Sequence, residues 1–265
     1  MRAQLDRQSC PRGQRHVDPG AGAAVAEVIN EGLRQMAACR PDRLYWMATV
    51  PLQDPVLAAN VLETQRAAGA VGVEIATSAP QHRLDDREVE PFWEAAEALG
   101  MPVMLHPAYH HGHPGFKDFH LGNAIGNMLE TTIAIERLIM AGVLDRHPGL
   151  RIVIVHSGGD VAYQQGRLRH IRTQRPFPAD APTDPASYFG QVRFDCLTHD
   201  RKALAFLIDQ VGAQNMVMGT DLPCDMATPR PWEDLVAVVG EEQAGRIAHD
   251  NAAELFGLPV PVGSR

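Results

Sequence analysis

The sequence lacks any apolar run that approaches the roughly 20 residues needed to cross a bilayer. It also lacks a basic excess, because 24 Lys and Arg stand against 32 Asp and Glu, which gives a net charge of −8 and a pI near 5.8. A net negative charge disfavours binding to nucleic acid, which is itself negatively charged. The opening segment MRAQLDRQSCPRGQRHVDPG has no apolar stretch of the signal-peptide type. We therefore expect a cytoplasmic protein that binds neither membranes nor nucleic acid.

Three familiar chemical signatures are missing as well. The four cysteines, Cys10, Cys39, Cys196 and Cys224, form no CxxC pair, so neither a zinc knuckle nor a disulfide framework is indicated. Free thiols packed in the interior are the expected state. No GxSxG elbow of a serine hydrolase and no GxGxxG dinucleotide loop occurs.

What the sequence does contain is a regular alternation of short apolar segments and helical segments. The apolar segments read RLYWMATV, VGVEIAT, MPVMLHP, RIVIVHSGG, VRFDCLT and NMVMGTDLP, and a helical pattern follows each one. Such strands, apolar on both faces, predict a parallel sheet covered on both sides. This α/β pattern fits either a barrel or an open doubly wound sheet.

The division of the chain follows from the same pattern. Residues 1–23 are rich in Arg, Gln, Gly and Pro without periodicity, so we expect an irregular segment there and a single domain over 24–265. The first helix should follow, because apolar residues recur at helical spacing at Val25, Val28, Ile29, Leu33 and Met36. A second helix should begin with Asp54 as its N-cap and Pro55 in its first turn.

Three of the predicted strands end in a polar residue of metal-ligand type. His106 ends VMLH, His156 ends IVIVH, and Asp221 ends MVMGTD. Each alone is more often structural, as a hydrogen-bonded histidine or as a helix N-cap. In a barrel, however, the carboxyl ends of the strands converge on one mouth. Imidazole and carboxylate together suit a divalent ion such as Zn2+.

The order of motifs carries a family resemblance. LHP, ETTIAIERLIMAGVLDRHPGLRIVIVHSGGD, GRLRH, MGTDLP and DNAAELFGL occur in succession between about residue 24 and about residue 258. In this order they resemble the amidohydrolase-related family, specifically its aminocarboxymuconate-semialdehyde decarboxylase branch. The resemblance implies a metal-dependent (β/α)8 TIM barrel.

The resemblance also implies roles for individual residues. His106 and Asp221 would bind the metal, Zn2+ first and Mn2+ as the second choice. His156 would be the general base that activates a metal-bound water, with Asp221 beside it in catalysis. Arg167 in GRLRH would reach the carboxylate of a small-molecule substrate across a homodimer interface. Tyr109 would contact substrate, although many decarboxylases of the family carry Trp directly after HP, where this chain has Ala108 and then Tyr109.

The histidine-dense stretch VMLHPAYHHGHPG has one member at a strand end, His106. His110, His111 and His113 fall in the loop beyond it. A solvated loop is the simpler interpretation; the alternatives are contact with the substrate and recruitment of one of them as a replacement metal ligand. His199, after VRFDCLT, lies on the same predicted face. Cys224 follows the GTD motif, and we expect it to be packed rather than to act as a ligand.

One family element is not found. The first strand of the family supplies an HxH pair as two further ligands, but no apolar strand here ends in HxH, and RHVD with His16 and Asp18 sits in polar sequence. Six strands are recognisable where a barrel has eight. We therefore expect an incomplete barrel without strands one and two, a chain truncated at its amino end, and low metal occupancy.

The expected function is metal-dependent decarboxylation, a C–C lyase reaction, of a small unsaturated or aromatic carboxylic acid. A metal-bound water and the base His156 would carry out the chemistry. Two alternatives stay open at this point. One is metal-dependent hydrolysis of a carboxylated small molecule, and the other is a catalytically impaired remnant that acts only as a subunit.

Overall fold

The computed structural model describes residues 18–79, 81–107, 114–177 and 184–259. These residues contain one sheet of six parallel strands in the order β1-β2-β3-β4-β5-β6. The strands are β1 (Met47–Thr49), β2 (Gly72–Ala76), β3 (Val103–His106), β4 (Ile152–Ile154), β5 (Val192–Asp195) and β6 (Met216–Val217). Each of the six predicted apolar segments contains one of them.

The order of the strands decides between the two predicted architectures. A doubly wound sheet reverses its direction of winding partway along the chain. Here every strand lies beside its predecessor, so right-handed connections place all the crossover helices on the same side of the sheet. This is the winding of a barrel. That strands one and two are missing stays a prediction, because residues 1–17 lie outside the described part of the chain.

The helices follow the strands as expected. They are α1 (Pro19–Ala38), α2 (Pro55–Ala67), α3 (Glu90–Ala98), α4 (Asn127–Met140), α5 (Val143–Arg146), α6 (Val161–Gln174), α7 (Arg201–Val211), α8 (Pro231–Val239), α9 (Glu241–Gly245) and α10 (Asn251–Phe256). Asp54 caps α2, as predicted, by accepting from the backbone N–H of Leu57 at 3.0 Å. None of the helices in the described ranges is long and apolar enough to cross a membrane.

Helix α1 differs from its prediction in both start and orientation. Residues 19–23 are helical rather than irregular, because Asp18 caps α1 by accepting from the N–H of Ala21 at 3.0 Å. Val25 and Val28 are 46% and 75% exposed, so the apolar stripe does not define the buried face. Small and amide residues do so instead, and the fully packed positions of α1 are Gly22, Ala26 and Asn30.

The reason is a polar contact between α1 and the first strand. Asn30 accepts from the backbone N–H of Thr49 at 2.8 Å and donates to the carbonyl oxygen of the same residue at 3.0 Å. The side chain therefore pairs with β1 as a neighbouring strand would. The buried amide of Asn30 has a hydrogen bond at its oxygen and another at its nitrogen, and these bonds determine which face of α1 packs against β1. Apolar contacts alone do not specify one face of a helix to the same degree.

The two faces of the sheet are buried to different degrees. One row of residues, paired across neighbouring strands, has no exposed surface and belongs to the hydrophobic core between the sheet and the helices: Ala48, Val73, Val103, Ile152 and Val192. The next row points to the opposite face, because side chains alternate along a strand: Thr49, Glu74, Met104, Val153 and Arg193. All of this second row except Val153 is partly exposed. Because of the same alternation, His106 and Asp195 lie on the same face as this second row, at the carboxyl ends of their strands.

A cluster of charged side chains surrounds the buried His147 at the opposite end of the sheet. His147 precedes β4, and its ring nitrogens lie 2.7 Å from Glu90 and 3.0 Å from Glu97, both on α3. Glu97 also accepts from the N–H of Gly149 at 2.6 Å, and Arg146 pairs with Glu90. Desolvation raises the pKa of Glu90, but hydrogen bonds from Arg146 and His147 outweigh it and hold that pKa below its usual range. The cluster therefore fixes α3 to the start of β4.

Candidate active site

A cavity of about 470 Å3 lies at the carboxyl ends of β4, β5 and β6. The loops after these strands contribute His156, His199 and Asp221 to its wall, and helices α4, α6 and α7 contribute further side chains. The cavity thus occupies the end of the sheet where parallel α/β proteins place their chemistry.

Two of the three predicted strand-end residues touch each other. The rings of His106 and His156 meet edge to face, with centroids 5.4 Å apart and planes inclined at 70°. His106 is the last residue of β3, and its Nδ1 lies 3.1 Å from the carbonyl oxygen of Pro107. Asp221 lines the same cavity as His156. Imidazole and carboxylate groups from three strand ends are therefore gathered in one region.

The loops that carry these groups have an unusual backbone. His156, Ser157, His199 and Asp221 have φ angles of 54°, 61°, 57° and 54°, in the left-handed region, and all four line the cavity. Each such residue costs about 1–2 kcal/mol. Conformations of this kind persist where surrounding contacts enforce them, and they concentrate at functional sites.

Asp195, the last residue of β5, supplies contacts that enforce the conformation after β4. Its Oδ2 accepts from the backbone N–H of His156 at 2.9 Å, and its Oδ1 accepts from those of Ser157 at 2.7 Å and Leu197 at 3.0 Å. Hydrogen bonds to a charged group stabilise by about 1.5–3 kcal/mol each, enough to offset two left-handed residues. Burial raises the pKa of Asp195, although the three N–H donors and nearby His106 act in the opposite direction.

Sequence reasoning did not select Asp195, although the signal was present. VRFD is an apolar strand closed by an acidic residue, the same pattern that selected His106 in VMLH. Asp195 is only 7% exposed and does not line the cavity, so it acts on the backbone of its neighbours instead.

The helical side of the cavity is apolar and aromatic. Tyr163 of α6 and Phe206 of α7 face each other with ring centroids 6.4 Å apart and planes inclined at 54°. Both are exposed, at 76% and 43%, and both line the cavity beside Met128 and Leu207. Aromatic side chains in such positions favour a flat, apolar ligand. No sequence motif pointed to them, because the two rings lie on different helices and meet only in the folded chain.

The remaining predicted residues are placed as follows. Arg167 lies on α6 with an exposed side chain and is not part of the cavity wall. Asp18 caps α1. Cys224 is a partly buried free thiol whose backbone N–H donates to the carbonyl oxygen of Asp221 at 2.9 Å. Outside the described residues lie Tyr109 and four histidines, His16, His110, His111 and His113.

The buried thiol of the site is Cys196. It is 6% exposed, and burial raises its pKa to about 11. A thiol of this kind stays protonated at neutral pH and is a poor ligand and nucleophile. Cys196 therefore has the packed role that was expected for the cysteines, whereas Cys39 is exposed and contradicts that expectation.

The donor types at the site suit a divalent ion, but their arrangement is not a complete metal site. Within the described ranges, no group of three or more His, Cys, Asp or Glu side chains is placed to hold a metal. A catalytic zinc ordinarily has three protein ligands. Metal binding by His106, Asp221 and His156 accordingly stays a prediction.

Comparisons with known proteins agree with the architecture. The sequence is 28% identical over 241 residues to 2-amino-3-carboxymuconate-6-semialdehyde decarboxylase of Dictyostelium discoideum, covering 88% of this chain and 67% of the relative. It is 29% identical over 275 residues to gamma-resorcylate decarboxylase of Rhodococcus jostii (strain RHA1), covering 95% and 80% of the two chains.

A solved structure gives the same result. The 5-carboxyvanillate decarboxylase LigW from Sphingomonas paucimobilis superposes with a TM-score of 0.83 at 26% identity, over 94% of this chain and 77% of that one. This likeness confirms the predicted barrel-type α/β fold. The sequence profile of the family described as Amidohydrolase matches residues 6–258. Because that match spans nearly the whole sequence, the chain belongs to the amidohydrolase family.

Proposed function

We propose that this chain is a decarboxylase of a small aromatic carboxylic acid. The observation that carries the proposal is the cavity at the ends of β4, β5 and β6, where His156 and Asp221 face an aromatic wall formed by Tyr163 and Phe206. The similarity to decarboxylases of resorcylate and carboxyvanillate supports the same reaction type. An aromatic acid fits between the polar and the apolar sides of this cavity.

The reaction replaces a carboxylate by a proton on the same carbon. His156 is proposed to hold that proton on its imidazole and to deliver it to the ring carbon that bears the carboxylate. The bond from this carbon to the carboxylate then breaks, its electron pair restores the aromatic ring, and CO2 leaves. Asp221 is proposed to stabilise the protonated imidazole with its negative charge. The aromatic wall holds the ring and excludes water.

Membership in the family supports a divalent metal ion, with Zn2+ proposed first and Mn2+ second. Such an ion, when bound, supplies positive charge that holds the oxygens of the substrate. Because the described residues do not form a complete metal site, no step above depends on it. Low occupancy of the chain as it stands is part of the proposal.

A cytoplasmic homodimer completes the proposal. Arg167 follows the cavity-lining residue Tyr163 by one turn of α6 and has an exposed side chain. From there its guanidinium is available to the cavity of a second subunit rather than to its own. A guanidinium is the group best suited to bind a carboxylate with two parallel hydrogen bonds.

The test measures turnover and metal together. The purified chain is incubated with 2,6-dihydroxybenzoate or 5-carboxyvanillate in the presence of Mn2+ or Zn2+, and the decarboxylated phenol is quantified by chromatography. We expect turnover that His156→Ala abolishes while metal content stays largely intact, because the other two proposed ligands, His106 and Asp221, remain. Turnover retained in His156→Ala would remove this residue from the proton transfer.

One alternative, a catalytically impaired subunit, stays open because the donors among the described residues do not form a complete metal site. Metal analysis separates the two functions. About one bound ion per chain together with turnover supports the enzyme, whereas no bound ion and no turnover with either acid supports the subunit. Hydrolysis of a carboxylated small molecule, the other alternative, would yield products without release of CO2.

A further inference from the structure

The turn after β4 needs an external contact to keep its shape. Two successive residues, His156 and Ser157, adopt left-handed conformations at φ 54° and 61°. An isolated chain avoids this arrangement, since each non-glycine residue in it is strained. The direction in which the His156 imidazole leaves the backbone is set by this turn, and the imidazole reaches the cavity only because the turn is maintained.

Asp195 contacts both residues of the turn and, in addition, its own loop. One carboxylate oxygen accepts from the N–H of His156, and the other accepts from the N–H groups of both Ser157 and Leu197. Leu197 and the residues after it line the cavity, as His156 and Ser157 do. A single carboxylate thus sets the distance between the two loops that form the polar wall.

The loop after β6 packs against the same side chain. A Cβ atom on Gly219 would lie 2.9 Å from the Cβ of Asp195, closer than such atoms approach in real proteins. Glycine is therefore required at position 219, and the chain continues from there to Asp221. His106 of β3 is near enough to act electrostatically on Asp195. Asp195 lies where the strand ends carrying His106, His156 and Asp221 meet.

We propose that Asp195 is a positioning residue for His156, and this inference rests on the proposed role of His156 in proton transfer. Asp195 does not itself touch the substrate, because it is buried and lies off the cavity wall. It acts by holding the backbone of His156 so that the imidazole is aligned with the reacting carbon. Substrate affinity depends on the aromatic wall, so loss of Asp195 lowers kcat more than it raises KM.

Asp195→Asn is the sharpest test because it preserves size and changes one interaction. The amide oxygen still accepts from Ser157 and Leu197, while the amide nitrogen faces the N–H of His156, so that two donors oppose each other. In the full chain with Mn2+ and 2,6-dihydroxybenzoate, we expect kcat to fall by about 100-fold, with KM changed less than about threefold.

A second readout does not require turnover. In protein labelled with 15N-histidine, the imidazole signals of His156, identified by their loss in His156→Gln, should shift or split in Asp195→Asn. His147→Gln is the matched control, because His147 is buried at the opposite end of the sheet and its loss affects stability alone. Its His156 signals and kcat should equal those of the unaltered chain.

Each outcome decides something. A folded Asp195→Asn protein with unchanged His156 signals, or with kcat within threefold of the parent, overturns the inference. If the single variant does not fold, Ser157→Gly is added, because glycine accepts the left-handed conformation and relieves the turn; the same two readouts then apply. If the unaltered chain decarboxylates neither acid, the proposed function fails, and the imidazole signals alone decide the role of Asp195.

Discussion

The imidazole of His106 meets that of His156 edge to face, with 5.4 Å between the ring centroids. One ring closes β3 and the other follows β4, so the contact brings together two strand ends that are neighbours in the sheet. The two imidazoles therefore share one environment, but the roles proposed for them differ. His106 is proposed to hold the metal, and His156 to move the proton.

That division can be tested with His106→Ala. We expect bound metal per chain to fall at least about tenfold after dialysis against micromolar Mn2+, because a ligand is lost from an already incomplete set. Metal content is measured by mass spectrometry on the intact protein solution. His156→Ala serves as the comparison and should retain the metal of the parent. Equal metal in the two variants would contradict the assignment of His106.

Glu136 predicts a pH-dependent stability. It is buried between α4 and α6, and burial raises its pKa from 4.5 to about 7, even though Gln165 donates to its Oε1 at 2.9 Å. The unfolded chain binds its proton less tightly, so the stabilisation is complete below pH 4.5 and is lost as the pH rises through about 7.

Glu136→Gln should remove this dependence, because glutamine stays neutral and its amide can donate to Gln165 Oε1, which has no hydrogen-bond partner among the described residues. We expect the variant to match the parent near pH 4 and to exceed it by up to roughly 3 kcal/mol above pH 7. Urea unfolding at pH 5 and pH 8 measures the difference. A gain of the same size at both values would mean that ionisation of Glu136 is not the cause.

His147→Gln tests the charged cluster at the other end of the sheet. Glutamine cannot donate to Glu90 and Glu97 in opposite directions as the imidazole does, so one of these partly exposed carboxylates loses a partner. The free energy of unfolding should drop by about 1–3 kcal/mol. His249→Gln is the control, since the His249 side chain is 40% exposed and pairs with the neighbouring Asp250; it should change stability by less than about 0.5 kcal/mol.

Asn30→Ala tests the attachment of α1 to the sheet. Both backbone groups of Thr49 lose the partner they have in the amide of Asn30, so we expect a loss of about 1–3 kcal/mol. Hydrogen exchange at the Thr49 amide should accelerate well beyond the change in global stability. Gln35→Ala on the same helix, where the side chain bonds only to Glu31, should leave that amide protected.

Phe206→Ala tests the aromatic wall. Removing one ring of the Tyr163–Phe206 pair should raise KM for an aromatic acid about 10-fold, with kcat changed far less. Trp232→Ala is a suitable control because Trp232 has the same exposure, 42% against 43%, but does not line the cavity. If both variants raise KM equally, the effect is not specific to the wall.

Much of the fold follows from local sequence. The period of the apolar residues locates all six strands, and capping chemistry locates the start of α2 at Asp54. A polar residue that closes an apolar strand is in an energetically unfavourable position unless it has a binding partner. This pattern identifies His106, His156 and Asp221. These signals are contained in short segments, so they need no knowledge of the tertiary structure.

Other features depend on contacts between distant segments. Asn30 determines the packing of α1 through a strand 19 residues away, and Asp195 holds a turn 38 and 39 residues earlier in the chain. No local pattern distinguishes Asn30 from an ordinary polar residue, and the position of Asp195 at the end of an apolar strand does not reveal that it binds the turn after β4. The cavity wall is similar, because Tyr163 and Phe206 belong to different helices and meet only after the sheet has formed.

The left-handed residues at the cavity have a consequence for protein engineering. A library selected for heat resistance alone should accumulate glycine or asparagine at 156, 157, 199 and 221, where these residues relieve the backbone. Three of those positions carry the imidazoles and the carboxylate that line the cavity. These stabilising substitutions are therefore the ones that erase the proposed chemistry, and selection for robustness must be paired with selection for turnover.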